Sequence, residues 1–371
     1  MSLNRPEILI VGGGLAGGAA AAQLAQAGAR VRLLEREAGA HDKVCGEFLS
    51  GEAQLLLARL GLDPQALGGA PISRVRLVDG PRSAEAALPF AALGLSRRRL
   101  DEALLGHAAS LGAQVTRGLA ARRIACGRVE TSQGELSPTS LLLASGKHEV
   151  RGARREAQGA IDGYIGFKMH FRVRPAARAD LQGLVEVSLL EGGYAGLQLV
   201  DDGVANLCLL VTRERFAALG RTWESLFASL LAQPHLARRL DDATAQFERP
   251  ATIAAIPYGF VHAPRAGDPQ GLFRLGDQAA VIPSFCGDGQ AIALHSGRLA
   301  AQMLSQGAGA SAYHARLRRD VARQVALAIR LQRLCEAAPG RAALLALAGL
   351  APALLTLAAA WTRIPARAIA A

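Results

Sequence analysis

The stretch EILIVGGGLAGGAAAAQLAQAGARVRLLERE, residues 7–37, constrains the fold more than any other part of the sequence. Its apolar run at residues 8–11 is typical of a buried parallel strand, and Gly12, Gly14 and Gly17 follow it in the spacing GxGxxG. Glycines with this spacing allow a tight turn, close approach of the backbone to a pyrophosphate, and close packing of the following helix on the strand. The pattern predicts a strand–helix–strand unit that binds a dinucleotide.

The continuation of this stretch supports the same interpretation. An alanine-rich helix is predicted to about residue 27, with Gly28 at its C-terminal cap, and a second apolar strand at residues 31–34 ends on Glu35. A carboxylate at this distance from the glycines is placed to accept hydrogen bonds from a ribose hydroxyl. The fingerprint alone does not distinguish NAD from FAD.

A second glycine-containing run, RLGDQAAVIPSFCGDGQAIALHSGR at residues 274–298, lies far along the chain. A short strand is predicted at residues 272–275, followed by Gly276 and Asp277, so that Asp277 at the strand end offers a carboxylate to a sugar-alcohol hydroxyl. Pro283 stiffens the loop that follows, while Gly287 and Gly289 leave backbone N–H groups free to face a ring carbonyl. Taken alone, the run also fits a plain loop that enters a helix.

Together with the fingerprint, this run and three further segments carry a resemblance to a known family. The segments are KVCGEFLS (43–50), SRRRLDEALLGHA (96–108) and LLLASGKHEVR (141–151). With them the chain resembles the FAD-dependent group-A aromatic hydroxylase and geranylgeranyl reductase superfamily, which includes the p-hydroxybenzoate hydroxylase-like flavoproteins. The resemblance implies FAD as cofactor, NAD(P)H as transient hydride donor, and an α/β fold with a Rossmann-type FAD-binding domain, an inserted antiparallel β-sheet substrate domain and a helical C-terminal region.

The resemblance also implies which residues contact the cofactor. Asp277 would bind the ribityl chain, the 283–289 loop would lie against the ring, and residues 43–47 would line the flavin edge. No family role attaches to Cys286, or to Asp288 beyond its place in the loop. The complete predicted set is Gly12, Gly14, Leu15, Ala16, Gly17, Glu35, Arg36, Lys43, Cys45, Gly46, Arg97, Gly276, Asp277, Pro283, Gly287, Asp288 and Gly289.

The middle of the chain has a different pattern. YIGFKMHFRV (164–173) alternates with period two, LVEVSLLEGGYAGLQLV (184–200) and VANLCLLVT (204–212) are typical of strands around turns, and residues 226–240 are predicted helical. We therefore predict an FAD-binding domain of residues 1–70, 95–160 and 265–305. The substrate-binding β-sheet domain would comprise residues 71–94 and 161–264, and the helical region residues 306–371.

The chemistry is assigned to the flavin, because the sequence has no nucleophile elbow, no Ser-His-Asp order and no metal-ligand spacing. Two departures from the family bear on the reaction. The Asp-Gly motif of the hydroxylases is replaced by Ser145-Gly146, and EGGYAGLQLVDDG (191–203) keeps Gly193 and Tyr194 but lacks the Trp and Pro of the reductases. A halogenase-type Trp-x-Trp sequence is absent.

The degraded reductase motif favours a monooxygenase that uses NAD(P)H and dioxygen to hydroxylate a lipophilic phenol or a polyketide-type aromatic of secondary metabolism. Two alternatives stay open: a reductase of an alkene in an isoprenoid or other lipidic substrate, and a non-catalytic flavin carrier. No residue is assigned as catalytic. The candidates are Cys45, Tyr194 and His170, with His262 and His295 as further acid–base groups.

Composition limits the partners and the compartment. The net charge of +11 comes mostly from scattered arginines without interleaved aromatic residues, a distribution that argues against nucleic-acid binding. Five cysteines without a CxxC pair argue against a disulfide framework or a zinc site and predict a reducing cytoplasm. The first strand begins within ten residues of the start, so no signal peptide is expected before it.

The segment AALLALAGLAPALLTLAAAW, residues 342–361, is free of charge and long enough to span a bilayer. Pro352 interrupts it, and alanine makes its hydrophobicity modest. The sequence therefore leaves open a helical pair that covers the core and a peripheral membrane contact, and it disfavours a true span.

Overall fold

The computed structural model describes residues 8–156, 160–161, 163–264 and 271–370, so the predicted domain boundary at residue 265 lies outside the described residues. The strands are β1 (Ile8–Val11), β2 (Val31–Glu35), β3 (Phe48–Leu49), β4 (Ala70–Asp79), β5 (Arg82–Gly94), β6 (Gln114–Arg117), β7 (Ala121–Ala125), β8 (Arg128–Thr131), β9 (Gly134–Leu136), β10 (Ser140–Leu143), β11 (Tyr164–Arg172), β12 (Gly183–Leu190), β13 (Gly193–Leu199), β14 (Ala205–Thr212), β15 (Thr244–Ala245), β16 (Ala251–Ala254) and β17 (Leu272–Arg274).

The helices lie between and after these strands. They are α1 (Leu15–Gln26), α2 (Gly51–Arg59), α3 (Arg97–Ser110), α4 (Pro175–Leu181), α5 (Arg213–Ala218), α6 (Trp223–Leu231), α7 (Pro234–Leu240), α8 (Gly289–Ser305), α9 (Ala310–Glu336), α10 (Ala338–Leu350), α11 (Ala353–Trp361) and α12 (Ala366–Ala370). Short 3₁₀ turns occupy Asp201–Gly203, Gly276–Gln278 and Ser284–Cys286.

A five-stranded parallel sheet carries the N-terminal fingerprint. Its order is β17-β10-β1-β2-β6, and β1 pairs with both β10 and β2. The apolar strand β1 is buried along its whole length, as expected for a parallel strand covered on both faces. Helices α1 and α8 pack closely, because a Cβ atom on Gly297 would lie 2.2 Å from the carbonyl oxygen of Ala16. The second glycine run therefore lies beside the first.

A larger sheet forms the second layer, in the order β15-β11-β14-β13-β12-β4-β5-β3, with β16 also paired to β11. Its pairings are antiparallel except that β12 and β4 run parallel. The α/β fold, with its parallel sheet, its essentially antiparallel second sheet and its helical C-terminal region, is confirmed. Within the second sheet, the parallel pairing of β12 with β4 was not predicted, because it joins segments that lie far apart in the sequence.

Two further details differ from the sequence interpretation. The predicted helix at residues 226–240 is two helices, α6 and α7, because Pro234 starts the second one. A three-stranded antiparallel sheet, β7-β8-β9, follows β6 within the segment assigned to the cofactor-binding domain.

The charge-free segment near the C-terminus forms two helices, α10 and α11. The helix pair Ala338–Leu350 and Ala353–Ala370 bends by 114° at its break, which contains Pro352. The inner face of the pair packs on β4 and β5, where Leu345 and Ala348 join Leu77 and Ala84 in a small apolar core. No single helix within the described ranges is long and apolar enough to cross a membrane, although this bent pair passes the length and composition test together.

Candidate active site

The turn between β1 and α1 requires glycine at two positions. Gly12 has φ +107°, and a Cβ atom there would lie 2.3 Å from the carbonyl oxygen of Ala144 on the neighbouring strand. A Cβ atom on Gly17 would lie 1.9 Å from the carbonyl oxygen of Gly12. The chain therefore folds tightly back on itself here, and the N-terminus of α1, beginning at Leu15 and Ala16, opens toward the carboxyl edge of the parallel sheet.

Glu35 lies at the end of β2, beside this turn. Its side chain is buried, with Oε2 accepting a hydrogen bond from the backbone N–H of Gly13 at 2.8 Å and Oε1 accepting one from Glu37 at 2.9 Å. The carboxylate is thus held at the edge of the cleft, the position that the sequence predicts for a ribose acceptor. The next residue, Arg36, lies with its Nη2 3.0 Å from Nε2 of His148.

Two cations lie over the glycine turn. A Cβ atom on Gly14 would lie 3.4 Å from Nη2 of Arg97 and 3.8 Å from Nζ of Lys43. Both side chains are held by Asp101, which lies 2.7 Å from Lys43 Nζ and 2.9 Å from Arg97 Nε. Burial would raise the pKa of Asp101, but Arg97 and Lys43 together keep that pKa below its usual value. The anchored carboxylate fixes both cations where a pyrophosphate would need them.

A third cation faces Asp277. Gly276 donates its N–H to Ser296 Oγ at 2.8 Å, and Asp277 Oδ2 then lies 3.2 Å from Nζ of Lys147. Burial lowers the pKa of Lys147, but Asp277 and Cys45 together leave it above its usual value, so the amine stays protonated. The sequence interpretation missed Lys147, although its position in the loop that follows β10, at the carboxyl edge of the sheet, was a usable signal.

These residues fit FAD. The glycine turn leaves room for a pyrophosphate, Lys43 and Arg97 supply positive charge over it, and Glu35 and Asp277 supply carboxylates on either side for ribose and ribityl hydroxyls. The structure brings together the fingerprint, the 43–47 segment, Arg97 and the second glycine run. The individual contacts with the cofactor remain predictions.

The 283–289 loop closes the far end of this cleft. Pro283 precedes the 3₁₀ turn Ser284–Cys286, Gly287 has φ +70°, and α8 begins at Gly289. A Cβ atom on Gly287 would lie 2.9 Å from the ring of Phe48, so glycine is needed for this close approach. The loop is therefore shaped by β3 on one side and presents the start of α8 to the cleft.

Asp288 faces away from the cleft. Its buried carboxylate lies 3.2 Å from Nη1 of Arg363 and accepts hydrogen bonds from the N–H of Ile364 at 3.1 Å and from Ser50 Oγ at 3.4 Å. Burial raises the pKa of Asp288 to about 7, against the opposing effect of Arg363. Arg363 also donates to the carbonyl oxygen of Cys286. The side chain of Asp288 thus ties the loop to the C-terminal helices, and only its backbone remains a candidate for cofactor contact.

The segment from Lys43 to Phe48 is held between the two sheets. Asn206 Nδ2 donates to the carbonyl oxygens of Cys45 and Gly46, at 3.1 and 2.9 Å. The Cys45 sulfur accepts from the N–H of Glu47 at 3.3 Å and from Gln290 Nε2 at 3.6 Å. Cys45 therefore lies between the glycine cleft and the start of α8, where the sequence predicts a flavin-edge residue.

A buried charge network fixes this segment to the large sheet. Glu47, with φ +59° and no exposure, lies 2.5 Å from Lys168 Nζ and 2.7 Å from His170 Nε2. Asp42 lies 2.9 Å from the same ammonium group. Burial lowers the pKa of Lys168, but Glu47 and Asp42 raise it above its usual value. Although Asp42, Glu47 and His170 are close enough together to ligate an ion, Lys168 already supplies the positive charge among them.

A cavity of about 180 Å³ lies between the large sheet, the 283–289 loop and the C-terminal helices. Alternate residues of the sheet line it, so one face of β4, β5, β12 and β13 forms the floor. Ser284, Phe285 and Gly287 of the loop form one end, and Leu344, Leu355 and Ala358 of α10 and α11 form the roof. Tyr194 lines the cavity, whereas Cys45, His170, His262 and His295 do not line it in the described part of the chain.

Two kinds of polar group lie at the loop end of the cavity: the hydroxyls of Ser284 and Tyr194, and the buried guanidinium of Arg363, which is paired with Asp288. Tyr258 Oη lies 2.8 Å from Ser284 Oγ, and the nearby Ser284 hydroxyl partly opposes the effect of burial on the pKa of Tyr194. Burial raises the pKa values of both Tyr194 and Tyr258 well above their usual values, and it raises those of the Cys208 and Cys286 thiols to about 12. The cavity thus offers a largely apolar wall, with hydroxyl groups and one paired arginine at one end.

Comparison with known proteins identifies the class. A family model described as an FAD binding domain matches residues 5–131. A menaquinone reductase of Mycolicibacterium smegmatis is 27% identical over 331 residues, which cover 82% of this chain and 77% of that protein.

Two solved structures share the fold. The flavin-dependent brominase Bmp2 superposes with a TM-score of 0.76 at 17% identity, over 96% of this chain and 93% of that one. A flavoprotein/dehydrogenase from Cytophaga hutchinsonii superposes with a TM-score of 0.71 at 18% identity, over 89% of this chain and 84% of that one.

The matched FAD binding domain and the site together define an FAD-dependent oxidoreductase. It shares its fold with the two flavoproteins above, in agreement with the resemblance to the group-A flavoproteins.

Proposed function

We propose that the protein is a monooxygenase that hydroxylates a lipophilic phenol-type aromatic, with NAD(P)H as electron donor and dioxygen as oxidant. The observation that carries the proposal is the cavity: its floor and roof are largely apolar, and Tyr194 and Ser284 bring two hydroxyl groups to the end formed by the 283–289 loop. A molecule with one phenolic group and a long apolar part matches a cavity that is polar at one end and apolar along its walls. The overall reaction consumes one NAD(P)H and one dioxygen, placing one oxygen atom on the ring and the other in water.

When bound, FAD would take up hydride from NAD(P)H and pass the electrons to dioxygen. The residues of the chain would orient the substrate and exclude water. Tyr194 and Ser284 would hydrogen-bond the phenolic hydroxyl and set which ring carbon faces the 283–289 loop. The aliphatic sheet face and the roof helices would exclude water, and this exclusion protects a reactive oxygen species from wasteful release.

A second candidate function is reduction of an alkene in a lipidic substrate. It is favoured by the match to the menaquinone reductase, because that match extends over 82% of the chain. In this reaction Tyr194, kept neutral by burial, would donate the proton that accompanies hydride transfer. A molecule without a polar group would, however, leave the Tyr194 and Ser284 hydroxyls without a partner from the substrate.

The experiment compares cofactor oxidation with three substrates: a long-chain alkylphenol, a small polar hydroxybenzoate and a polyprenyl quinone. If the protein is a monooxygenase, the alkylphenol should accelerate NAD(P)H oxidation, and dioxygen should be consumed together with NAD(P)H. Anaerobic reduction of the polyprenyl chain, with no dioxygen-dependent product, would establish the reductase instead. If FAD is bound but no substrate alters its reduction, the protein is a flavin carrier.

A further inference from the structure

We propose that the protein docks on an anionic phospholipid bilayer through the outer face of α10 and α11, here called the apolar hairpin. The proposal concerns binding itself and does not depend on which reaction the flavin supports. It is carried by the distribution of exposed apolar side chains, by the arginines of α9 and α12, and by the position of the hairpin over the cavity.

The large apolar side chains exposed in the described residues concentrate on one surface. Six of the eight lie on the hairpin or at the end of α9 immediately before it: Leu334, Leu347, Leu350, Leu354, Leu357 and Trp361. Leu350, at the bend, is 86% exposed and Trp361 is 63% exposed. Exposed apolar side chains concentrated on neighbouring helices, with a tryptophan among them, are typical of a surface that enters the interfacial region of a bilayer.

The charges around the hairpin favour an anionic surface. From residue 337 to residue 371 the sequence contains three arginines and no acidic residue; Arg363 is buried against Asp288, and Arg367 is exposed. Helix α9 also carries four exposed arginines on one face. At 3.6 residues per turn their positions span an arc of about 80° around the helix axis: Arg319, Arg323, Arg330 and Arg333. Because such a stripe runs along the helix that leads into the apolar hairpin, lipid phosphates would neutralise the arginines as the leucines insert.

A small pocket reinforces this charge pattern. Arg319 and Arg323 of α9 line it together with Arg367, which follows the hairpin on α12. Asp320, which also lines the pocket, is engaged by Arg316 and His295, at 3.2 and 3.1 Å. Three exposed arginines around one recess supply the charged donors that a lipid phosphate headgroup accepts.

The hairpin also connects the proposed docking surface to the cavity. Leu344, Leu355, Ala358 and Ala359 line the cavity from the inner face of the same two helices whose outer face carries the exposed leucines. The helices bend by 114° at their break, so the pair lies across the sheet instead of forming one straight rod. Docking would place the roof of the cavity at the bilayer, and a lipophilic molecule would then reach the cavity without crossing water.

The test is co-sedimentation of the FAD-loaded full chain with vesicles of phosphatidylcholine alone and of phosphatidylcholine mixed with phosphatidylglycerol. The wild type should bind the anionic vesicles, and added salt should weaken this binding. Leu347→Gln/Leu350→Gln/Trp361→Gln should reduce partitioning by at least about tenfold, since it removes the exposed apolar groups of the hairpin. Leu231→Gln, an exposed leucine on α6, is the matched control and should bind like the wild type.

A second arm tests the arginines. Arg330→Gln/Arg333→Gln should weaken binding to the anionic vesicles, whereas Arg122→Gln/Arg128→Gln on the small β7–β8 sheet should not. The proposal is overturned if the wild type binds neither vesicle, or if the hairpin variant binds as well as the wild type. It is also overturned if the wild type is a dimer that the hairpin variant converts to monomers while neither binds vesicles.

Fluorescence gives a readout that a folding defect does not mimic. The chain has two tryptophans, Trp223 and Trp361. In Trp223→Phe, the emission of Trp361 should shift to the blue with anionic vesicles and be quenched by brominated acyl chains. In Trp361→Phe, the emission of Trp223, which packs on Phe227, should change little. The reverse result would place a different surface on the membrane and refute the proposal.

Discussion

Arg363 Nη1 lies 3.2 Å from Asp288 Oδ1, joining residues 75 positions apart in the chain. Arg363 follows the helical roof of the cavity, and Asp288, within the 283–289 loop, is the N-cap of α8. Both side chains are buried, so the pair is a fixed connection between the loop and the C-terminal helices. The roof of the cavity is therefore coupled to the residues predicted to lie against the flavin ring.

This pair predicts a pH dependence of stability. Because the pKa of Asp288 is about 7 in the folded protein and near 3.8 when solvated, the folded state binds more protons between these values. The contribution of Asp288 to the free energy of unfolding therefore decreases as pH rises, by up to about 4 kcal/mol from pH ~4 to ~7. Asp288→Asn lacks this titration.

Urea unfolding of the wild type and of Asp288→Asn across this range measures the effect. The difference in unfolding free energy, wild type minus variant, should become smaller as the pH is raised. Parallel pH profiles for the two proteins would show that Asp288 does not titrate in this window.

Arg97 is expected to determine FAD affinity. Its guanidinium lies over Gly14 and is fixed by Asp101, so Arg97→Ala removes one charge from the predicted pyrophosphate site. A charge-assisted hydrogen bond of this kind predicts roughly 10- to 100-fold weaker FAD binding. The neighbouring Arg98 is exposed, and Arg98→Ala is the matched control. Titration of apoprotein with FAD measures both, and equal weakening would argue against a specific role for Arg97.

Lys168 is expected to determine stability. Lys168→Met leaves the carboxylates of Glu47 and Asp42 without their cation in a buried position. Removal of one partner from such a network costs about 3–5 kcal/mol of unfolding free energy. The double variant Lys168→Met/Glu47→Gln should lose less than the sum of the single changes, because it also removes one of the two uncompensated charges. Additive losses in urea unfolding would mean that the two residues act independently.

Tyr194 is expected to affect turnover and not cofactor binding. Tyr194→Phe removes the hydroxyl at the loop end of the cavity, so we expect a loss of roughly 10- to 100-fold in kcat/KM with FAD retained. Tyr164→Phe is the control, since its hydroxyl donates to Glu336 at 2.6 Å. If both variants lose activity equally, the hydroxyl of Tyr194 has no particular role in orienting the substrate.

The sequence predicted the features that depend on local chemistry. Gly12 and Gly17 occur where the close approach of β1 to α1 and to Ala144 excludes a side chain, and Gly287 occurs where the loop meets Phe48. Because each of these requirements is imposed within a short turn, residue type and spacing reveal it. The carboxyl edge of the parallel sheet then brings Glu35 and Asp277 to one cleft.

The contacts that the sequence did not reveal are formed between distant segments. Lys168 and His170 belong to β11 and meet Glu47 only because the large sheet packs against the 43–48 segment. A lysine in a strand of alternating polar and apolar residues ordinarily faces solvent. The alternation in β11 therefore did not predict the burial of Lys168. The roles of Lys147 and Arg363 likewise follow from packing, and Tyr194 gained its position in the cavity from the register of β13 with β14.

The most direct test of the proposed function is the origin of the oxygen in the product. The FAD-loaded protein is incubated with NAD(P)H and a long-chain alkylphenol under isotopically labelled dioxygen, and the product is analysed by mass spectrometry. Our account predicts a hydroxylated ring that carries one labelled oxygen atom. A product that gains two hydrogens and no labelled oxygen, formed equally well without dioxygen, would contradict it.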